Sequence, residues 1–567
     1  MLSRTTQAVC ALPIVILAAC ADGPGAKDPV SVDWVSPTSS MSAGEVPSRK
    51  SDPKYTFVHM SDDSLWTLVA QGDGTAVVGL KAPGANRGEF QGRVLLTRSE
   101  RRQGVQALLA LPGVTVEQEH GELPIIRVKV TDAASFSLLR ALPFVDYAEP
   151  ARLRSGVSYS TGGWGCSYTL ASGRTMYYPG GDVVPVTYGM MGITNAWRRS
   201  SGSGKTVGLT DTGIYFSSEQ MVRNVRAGQS GSRRVTYTNS TNYQDPYIGD
   251  DGCSHGTRMA GVITAPKDDS GPVGVAWGAN FVGVRHNDDV GVFDTYYAGQ
   301  AIRIAAENGS DIIAMAWGSP DYWFNSIEAE IKHWYYNHDK LFIGAAGTDT
   351  GCANAIWRHN AFFPAEMGEV MAVTAIDDNG KVSCDSHYGP SVELVSYINQ
   401  PTTGRYSDVV SIRASSNATA VIAGAAALVW SYYGGTRQGV VQRLKQTARN
   451  PWGTYGIGSG VIDVARAMGI LHHARLPDYG MATGDEPVEI TVQVSHSGGT
   501  GPFRYYWSNG SVTSVPYTTY RYHPVRDVAH YSIHVTVEDT YDGATLGANG
   551  TVTLWPSDPS GCPSCAQ

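Results

Sequence analysis

What the chain has little of narrows its function before any motif is read. Only 17% of its 567 residues are charged, and the formal net charge is −8. A protein that grips a phosphate backbone carries a basic excess, so nucleic-acid binding has no electrostatic support here. Long apolar runs are scarce too. The stretch from Ala8 to Ala19 is broken by Pro13 and is too short to cross a bilayer. Histidine is thin, at 14 residues, and its spacing shows no metal-ligand pattern, the adjacent His472 and His473 included. What remains is ordinary globular composition, 42% hydrophobic, with 65 glycines and 30 tyrosines that suit a turn-rich extracytoplasmic protein.

The start reads as an export signal. "MLSRTTQAVCALPIVILAAC" has a basic beginning at Arg4, a short apolar stretch and a small-residue end. Leu17-Ala18-Ala19-Cys20 resembles the lipobox of bacterial lipoproteins. That resemblance implies cleavage, lipidation of Cys20 and a lipid anchor in the membrane. The expected location is extracytoplasmic in a bacterium, anchored to the cell envelope or else secreted. Residues 21–53, rich in Pro, Gly and Ser, read as a tether. Export favours disulfides, and Cys166, Cys253, Cys352 and Cys384 allow three pairings. Cys562 and Cys565, in "CPSC", lie in the tail at 557–567 and read as a small terminal loop or unpaired thiols.

Three patterns follow one another along the chain. Residues 92–149, within a unit at 54–150, read as β-α-β-β-α-β, the split ferredoxin-like arrangement. Its first strand is expected in "GRVLLT" and its first helix opens at Ser99, with Val105, Leu108 and Leu109 on one face. A Gly/Ser/Tyr-rich connector spans 151–185. From 186 to 472, apolar strands such as "TVGLTD", "NFVGVR", "DIIAMAW", "LFIGAAG" and "VMAVTAI" alternate with helices. That is a parallel α/β sheet covered on both faces, whose chemistry gathers at the strand carboxyl ends. From 478 to 556 only strands remain, in the pattern of a small β-sandwich anchored on Trp507.

The chemistry sits in the α/β segment. Asp211 ends "TVGLTD", His255 lies in "DGCSHGTRMAGVI" and Ser416 in "SIRASSNATAVIAGAAALVW". A serine hydroxyl is a poor nucleophile until a base within hydrogen-bond reach takes its proton. His255 supplies the base, and Asp211 fixes its tautomer and stabilises its protonated form. Ser416 opens an apolar helix whose N-terminus brings N–H groups and a positive dipole end to the reacting centre. Two other motifs fail on context. "DSG" at Asp269 echoes "DTG" at Asp211, as in an aspartic-protease pair, but Asp269 sits in a polar turn too near in sequence for two lobes. "GSGKT" at 202–206 lacks the first glycine of a phosphate loop and precedes its strand, so Lys205 reads as loop surface.

The three blocks resemble those of subtilisin-like serine proteases: "LTDTGI", "SHGTRMAGVI" and "ASSNATAVIAGAAAL", in the order Asp, His, Ser. The resemblance covers roughly residues 186–470. It implies a subtilisin-like fold and a serine endopeptidase acting on protein or peptide substrates through an acyl-enzyme. It also makes residues 54–150 an inhibitory propeptide, an intramolecular partner released by cleavage within the connector. The lipid-anchored membrane is a further partner. Ala316, Trp317 and Gly318 in "AMAWG", with Ala345, Ala346 and Gly347 in "GAAG", correspond to the strands that line the substrate. No cofactor is required for catalysis, and structural calcium, common in the family, is not assignable to a loop. The C-terminal strands resemble a polycystic-kidney-type or other immunoglobulin-like domain. Two departures stand out. Ala414-Ser415 replaces the usual Gly-Thr before the nucleophile. Thr348 replaces the asparagine that, with the Ser416 N–H, binds the oxyanion in the family. The alternative expectation is therefore a catalytically impaired binding protein on the same fold.

Overall fold

The computed structural model describes residues 56–82, 96–153, 169–170, 175–177, 181–215, 228–240, 254–348, 360–404, 409–483 and 487–556, apart from 288, 292, 293, 321, 378, 471, 472, 527 and 542. The signal segment with Cys20, the tether, the tail, much of the connector and Cys166, Cys253, Cys352, Cys562 and Cys565 lie outside the described residues.

The first unit is a four-stranded antiparallel sheet with helices on it. Its strands are β1 (Thr75–Leu80), β2 (Val114–Glu119), β3 (Ile125–Val130) and β4 (Val145–Pro150), in the spatial order β2-β3-β1-β4. That order, with α2 (Arg98–Leu109) after β1 and α3 (Ala133–Ala141) after β3, is the expected split β-α-β-β-α-β pattern. A helix α1 (Asp62–Gln71) precedes it. The first strand is not where the sequence was read. "TAVVGL" is buried at all six positions, whereas the described end of "GRVLLT", Leu96 and Thr97, is not strand. Thr97 instead caps α2. Its hydroxyl accepts from the Glu100 N–H while Glu100 reaches back to the Thr97 N–H, so a capping box sets the start two residues before Ser99. Val105 and Leu108 face the core as expected, but Leu109 is half exposed.

The central sheet has seven parallel strands. They are β5 (Thr206–Asp211), β6 (Val235–Asn239), β7 (Asn280–Arg285), β8 (Ile312–Met315), β9 (Leu341–Ala345), β10 (Val370–Ile376) and β11 (Val392–Tyr397). The order is β11-β10-β9-β8-β5-β7-β6. The five strands read from sequence are those with unbroken apolar runs. β6, whose residues are all half-buried at the sheet edge, carries no such run. One face is covered by α4 (His255–Thr264) and α7 (Ala414–Tyr433), the other by α5 (Thr295–Glu307) and α6 (Asn325–His338). Every residue of α7 from Ala414 to Trp430 is buried, so the helix is a fixed post through the core.

The first unit packs on the α5/α6 face. Phe57, Val78, Ile126 and Ala148 share one apolar cluster with Ala298, Ala301, Phe324 and Ile327. Beyond the central sheet, residues 479–556 form a five-stranded sheet and a two-stranded one. Ile490, Val492, Tyr520 and Tyr522 of the smaller sheet share a cluster with Val535, Val537 and Val552 of the larger. Trp507 is buried there, as read from sequence, and its indole N–H donates to the Thr513 hydroxyl at 3.0 Å. Lys205 is not bare loop surface: its ammonium lies 3.4 Å from Asp311 and over the Trp430 ring.

Candidate active site

Asp211 is the last residue of β5, at the carboxyl edge where a parallel sheet leaves its chain free to turn. It is 3% exposed. Its Oδ1 accepts from the Thr212 N–H at 2.7 Å and meets His255 Nδ1 at 2.8 Å. Residues around it hold it from behind. Trp317 donates its indole N–H to the Thr210 hydroxyl at 2.9 Å, and the His286 N–H donates to the Asp211 carbonyl at 3.1 Å. The His286 ring packs edge-on against Trp317 with centroids 5.0 Å apart, and burial pushes its pKa down to about 4, so it stays neutral beside Asp211. Nothing in the sequence flagged His286, since it follows a strand with no partner at a recognisable spacing.

His255 begins α4 and is 2% exposed. With Nδ1 donating to Asp211, the lone pair lies on Nε2, the tautomer a general base needs. The next residue must be small. A Cβ on Gly256 would lie 2.1 Å from the Gly213 carbonyl oxygen, so the Asp211 turn and the His255 helix close on each other there.

Two adjacent serines open α7, and the structure separates their roles. Ser415 is fully buried; Ser416 is 9% exposed, and its hydroxyl bonds the Ala316 carbonyl at 3.3 Å. Among the described residues, Ser416 Oγ has no hydrogen bond to His255. Ser415 Oγ donates to the Gly347 carbonyl at 2.8 Å and accepts from the Gly347 N–H at 3.2 Å. Its one proton is therefore committed, so the 3.1 Å contact with Thr348 has the Thr348 hydroxyl as donor. Thr348 thus sits in the site with its proton turned toward Ser415. Sequence reasoning treated Ser415 only as a stand-in for threonine and missed that it ties α7 to the loop after β9.

The residues expected to line the substrate fall on both sides of the α7 start. Ala316, Trp317 and Gly318 follow β8, and the Gly318 N–H already donates to the Val290 carbonyl at 3.1 Å. Ala345 belongs to β9. Ala346 gives its N–H to Val373 and its carbonyl to the Phe362 N–H, so its backbone is held within the fold. Gly347 has φ +131 and lies against Phe362 and His387.

A carboxylate of the first unit meets the α5/α6 face near this edge. Glu149, at the end of β4, accepts from the N–H groups of Asn325 (2.8 Å) and Ser326 (3.0 Å) at the start of α6. It also accepts from the side chains of both residues. Burial pushes Glu149 up to about 7 against those donors. Asp294, before α5, accepts from the Tyr297 N–H at 3.0 Å and is pushed by burial up to about 6, with Arg127 and Arg152 pulling the other way.

A buried Asp–His pair at the carboxyl edge of a parallel sheet, in a chain with a serine at the start of a buried helix, is the residue set of the serine-hydrolase class. The sequence profile of the Subtilase family matches residues 202–469. The chain is 33% identical over 271 residues to the thermostable alkaline protease of Halalkalibacterium halodurans, covering 47% of this chain and 68% of that protein. It is 29% identical over 272 residues to subtilisin DY of Bacillus licheniformis, covering 47% of this chain and 91% of that one. Among solved structures, the serine protease MycP1, a component of the type VII (ESX-1) secretion system, matches at a TM-score of 0.42 and 22% identity, over 53% of this chain and 92% of that chain. The chain belongs to the subtilase family and is a subtilisin-like serine endopeptidase.

Proposed function

We propose that Asp211, His255 and Ser416 are the catalytic triad of an exported endopeptidase. The observation that carries this is the 2.8 Å Asp211–His255 pair, oriented so that Nε2 is the free base. His255 Nε2 takes the Ser416 proton as Oγ attacks the scissile carbonyl carbon. The oxyanion takes the Ser416 N–H, at a helix start that no Arg413 side chain caps. His255 then gives the proton to the leaving amine, and water hydrolyses the acyl-enzyme by the reverse transfers. Peptide substrate lies extended beside Ala316–Gly318, with the Ala345–Gly347 segment opposite. Thr348 donates to the oxyanion only by turning its hydroxyl away from Ser415. Subtilases need no cofactor for this chemistry.

Residues 54–150 act as the inhibitory propeptide, released by cleavage within 151–185. Their support is the packing against α5 and α6 and the capping of α6 by Glu149. Residues 478–556 act as an immunoglobulin-like accessory sandwich. Cys20 carries the lipid anchor. Cys384 forms one end of a disulfide, as suits an oxidising compartment, its partner lying outside the described residues.

The second reading is an impaired binding protein, favoured by the Thr348 proton on Ser415 and the Ser416 hydroxyl on Ala316. A fluorophosphonate probe separates the two. Labelling of the processed protein that disappears in Ser416→Ala supports the protease. Folded, propeptide-free protein that takes no label establishes the binding protein.

A further inference from the structure

The α6 face carries a group of side chains that the proteolytic reaction does not use. Glu122, His333 and His338 each bring a ligand-type atom into a group whose members all lie within 4.8 Å of one another. His333 Nε2 is 3.2 Å from Glu122 Oε2, and the His333 and His338 ring centroids are 5.1 Å apart. Two imidazoles and one carboxylate are the donor set that borderline divalent cations take. We propose that Glu122, His333 and His338 bind one Zn²⁺-type cation, which bridges the first unit to α6.

The geometry is close to what such an ion needs. Ligand bonds of about 2.0–2.1 Å in a tetrahedron put donor atoms roughly 3.3 Å apart. The Glu122–His333 pair already meets that spacing. His338 has no hydrogen-bond partner among the described residues, and its ring lies on Trp334 at 4.4 Å, so only side-chain rotation completes the set. Water fills the fourth position.

Each half of the site is held by its own surroundings. Asn337 contacts His333 Nδ1 at 3.2 Å. The Asn337 amide nitrogen faces Nδ1 and donates to it, which places the His333 proton on Nε2 toward Glu122; a metal at Nε2 displaces that proton, and the Asn337 amide, turned over, accepts it from Nδ1. On the other side, His120 fixes the turn that carries Glu122. Its Nδ1 accepts from the N–H groups of Glu122 (3.2 Å) and Leu123 (3.0 Å). Its Nε2 faces the buried Glu330 carboxylate of α6. The turn is thereby pinned over the helix that supplies both histidines. The sequence did not expose this site, because its third ligand lies some two hundred residues upstream of the histidines.

The consequence rests on the propeptide reading. An ion held by both parts binds the docked chain and not the separated parts, so by linkage it slows release of the first unit. The test uses the full chain carrying Ser416→Ala, so that no self-cleavage intervenes, titrated calorimetrically with ZnCl₂. The expected result is one Zn²⁺ per chain, with affinity falling by about tenfold or more in His338→Ala and in Glu122→Gln. Both residues are exposed, so folding is not at risk. In the same protein, Zn²⁺ should slow tryptic removal of residues 56–153. No uptake at about 100 µM Zn²⁺, well above what such donor sets require, overturns the site. Uptake unchanged in His338→Ala overturns it too, and uptake unchanged in Glu122→Gln overturns the bridge. Metal binding is read directly, while failure of the protease reading appears separately, as absence of fluorophosphonate labelling in the wild-type chain.

Discussion

On the resemblance read from the sequence, Thr348 takes the place of the asparagine that donates to the oxyanion in the family, and its hydroxyl proton is directed at Ser415. Loss of that amide costs about 2.7–4 kcal/mol of transition-state stabilisation, a value measured within this same family. Thr348→Asn should therefore raise kcat by up to roughly hundredfold to thousandfold with little change in KM, read by steady-state kinetics on a peptide substrate. Unchanged kcat would mean that the Ser416 N–H and its helix already suffice. The other departure from the family's motif has a backbone consequence. Ala414, where a glycine is usual, adopts φ +62. A Cβ in that region costs roughly 1–2 kcal/mol, and glycine's larger unfolded-state entropy returns about half of it. Ala414→Gly should stabilise the chain by about 0.5–1 kcal/mol in denaturant melts of the Ser416→Ala protein. The Asp211–His255 pair and the helix start at Ser416 were legible because each residue sits in a flanking pattern of small residues. The roles of Ser415 and His286 were not, because hydroxyl direction and ring burial depend on neighbours from other strands.

At the scale of single elements, α6 shows how a helix start can depend on a distant residue. Phe324, its N-cap, offers no side-chain acceptor, and Glu149 supplies that acceptor from 176 residues upstream. Anionic acceptors at a helix N-terminus complement both the free N–H groups and the dipole. Glu149→Ala removes the acceptor and leaves buried donors unpaired, at a cost of about 1–3 kcal/mol. Amide exchange at Asn325 and Ser326 should accelerate accordingly, while α4 and α7, which Glu149 does not touch, keep their protection. Unaltered exchange in the first turn of α6 would remove Glu149 as its cap. The missing cap was visible in the sequence as Phe324-Asn325, but its replacement was not, since only the packed structure brings β4 to α6. Elsewhere local signals sufficed or misled for local reasons. The Thr97–Glu100 capping box is a short-range pattern that outweighed Ser99 as the start of α2. β1, buried along its whole length and apolar after Thr75, carries no alternation by which to recognise it.

At the scale of the whole molecule, the contact between residues 56–153 and the central fold is sensitive to pH through two buried carboxyls. Burial raises Glu149 to about 7 and Asp294 to about 6, above the ordinary 4.5 and 3.8. For the Glu149 carboxyl the shift amounts to on the order of 3 kcal/mol between its two protonation states. A carboxyl raised in the folded state binds more protons there than in the unfolded chain, so stability falls as pH rises. The contribution is fully present below the ordinary carboxylate values and is lost as pH climbs through about 6 and then about 7. The docked arrangement should therefore be tightest below about pH 4 and loosest above about pH 7. Thermal midpoints of the Ser416→Ala chain across that range, with exchange rates at the starts of α5 and α6, measure it. Glu149→Gln keeps most of the shape without the ionisation, so it should abolish the decline between about pH 6 and 7 and leave the shallower Asp294 decline between about pH 4 and 6. A midpoint that instead rises between about pH 3 and 5 would mean that the donors from Asn325 and Ser326 outweigh burial and hold Glu149 as the anion in the docked state.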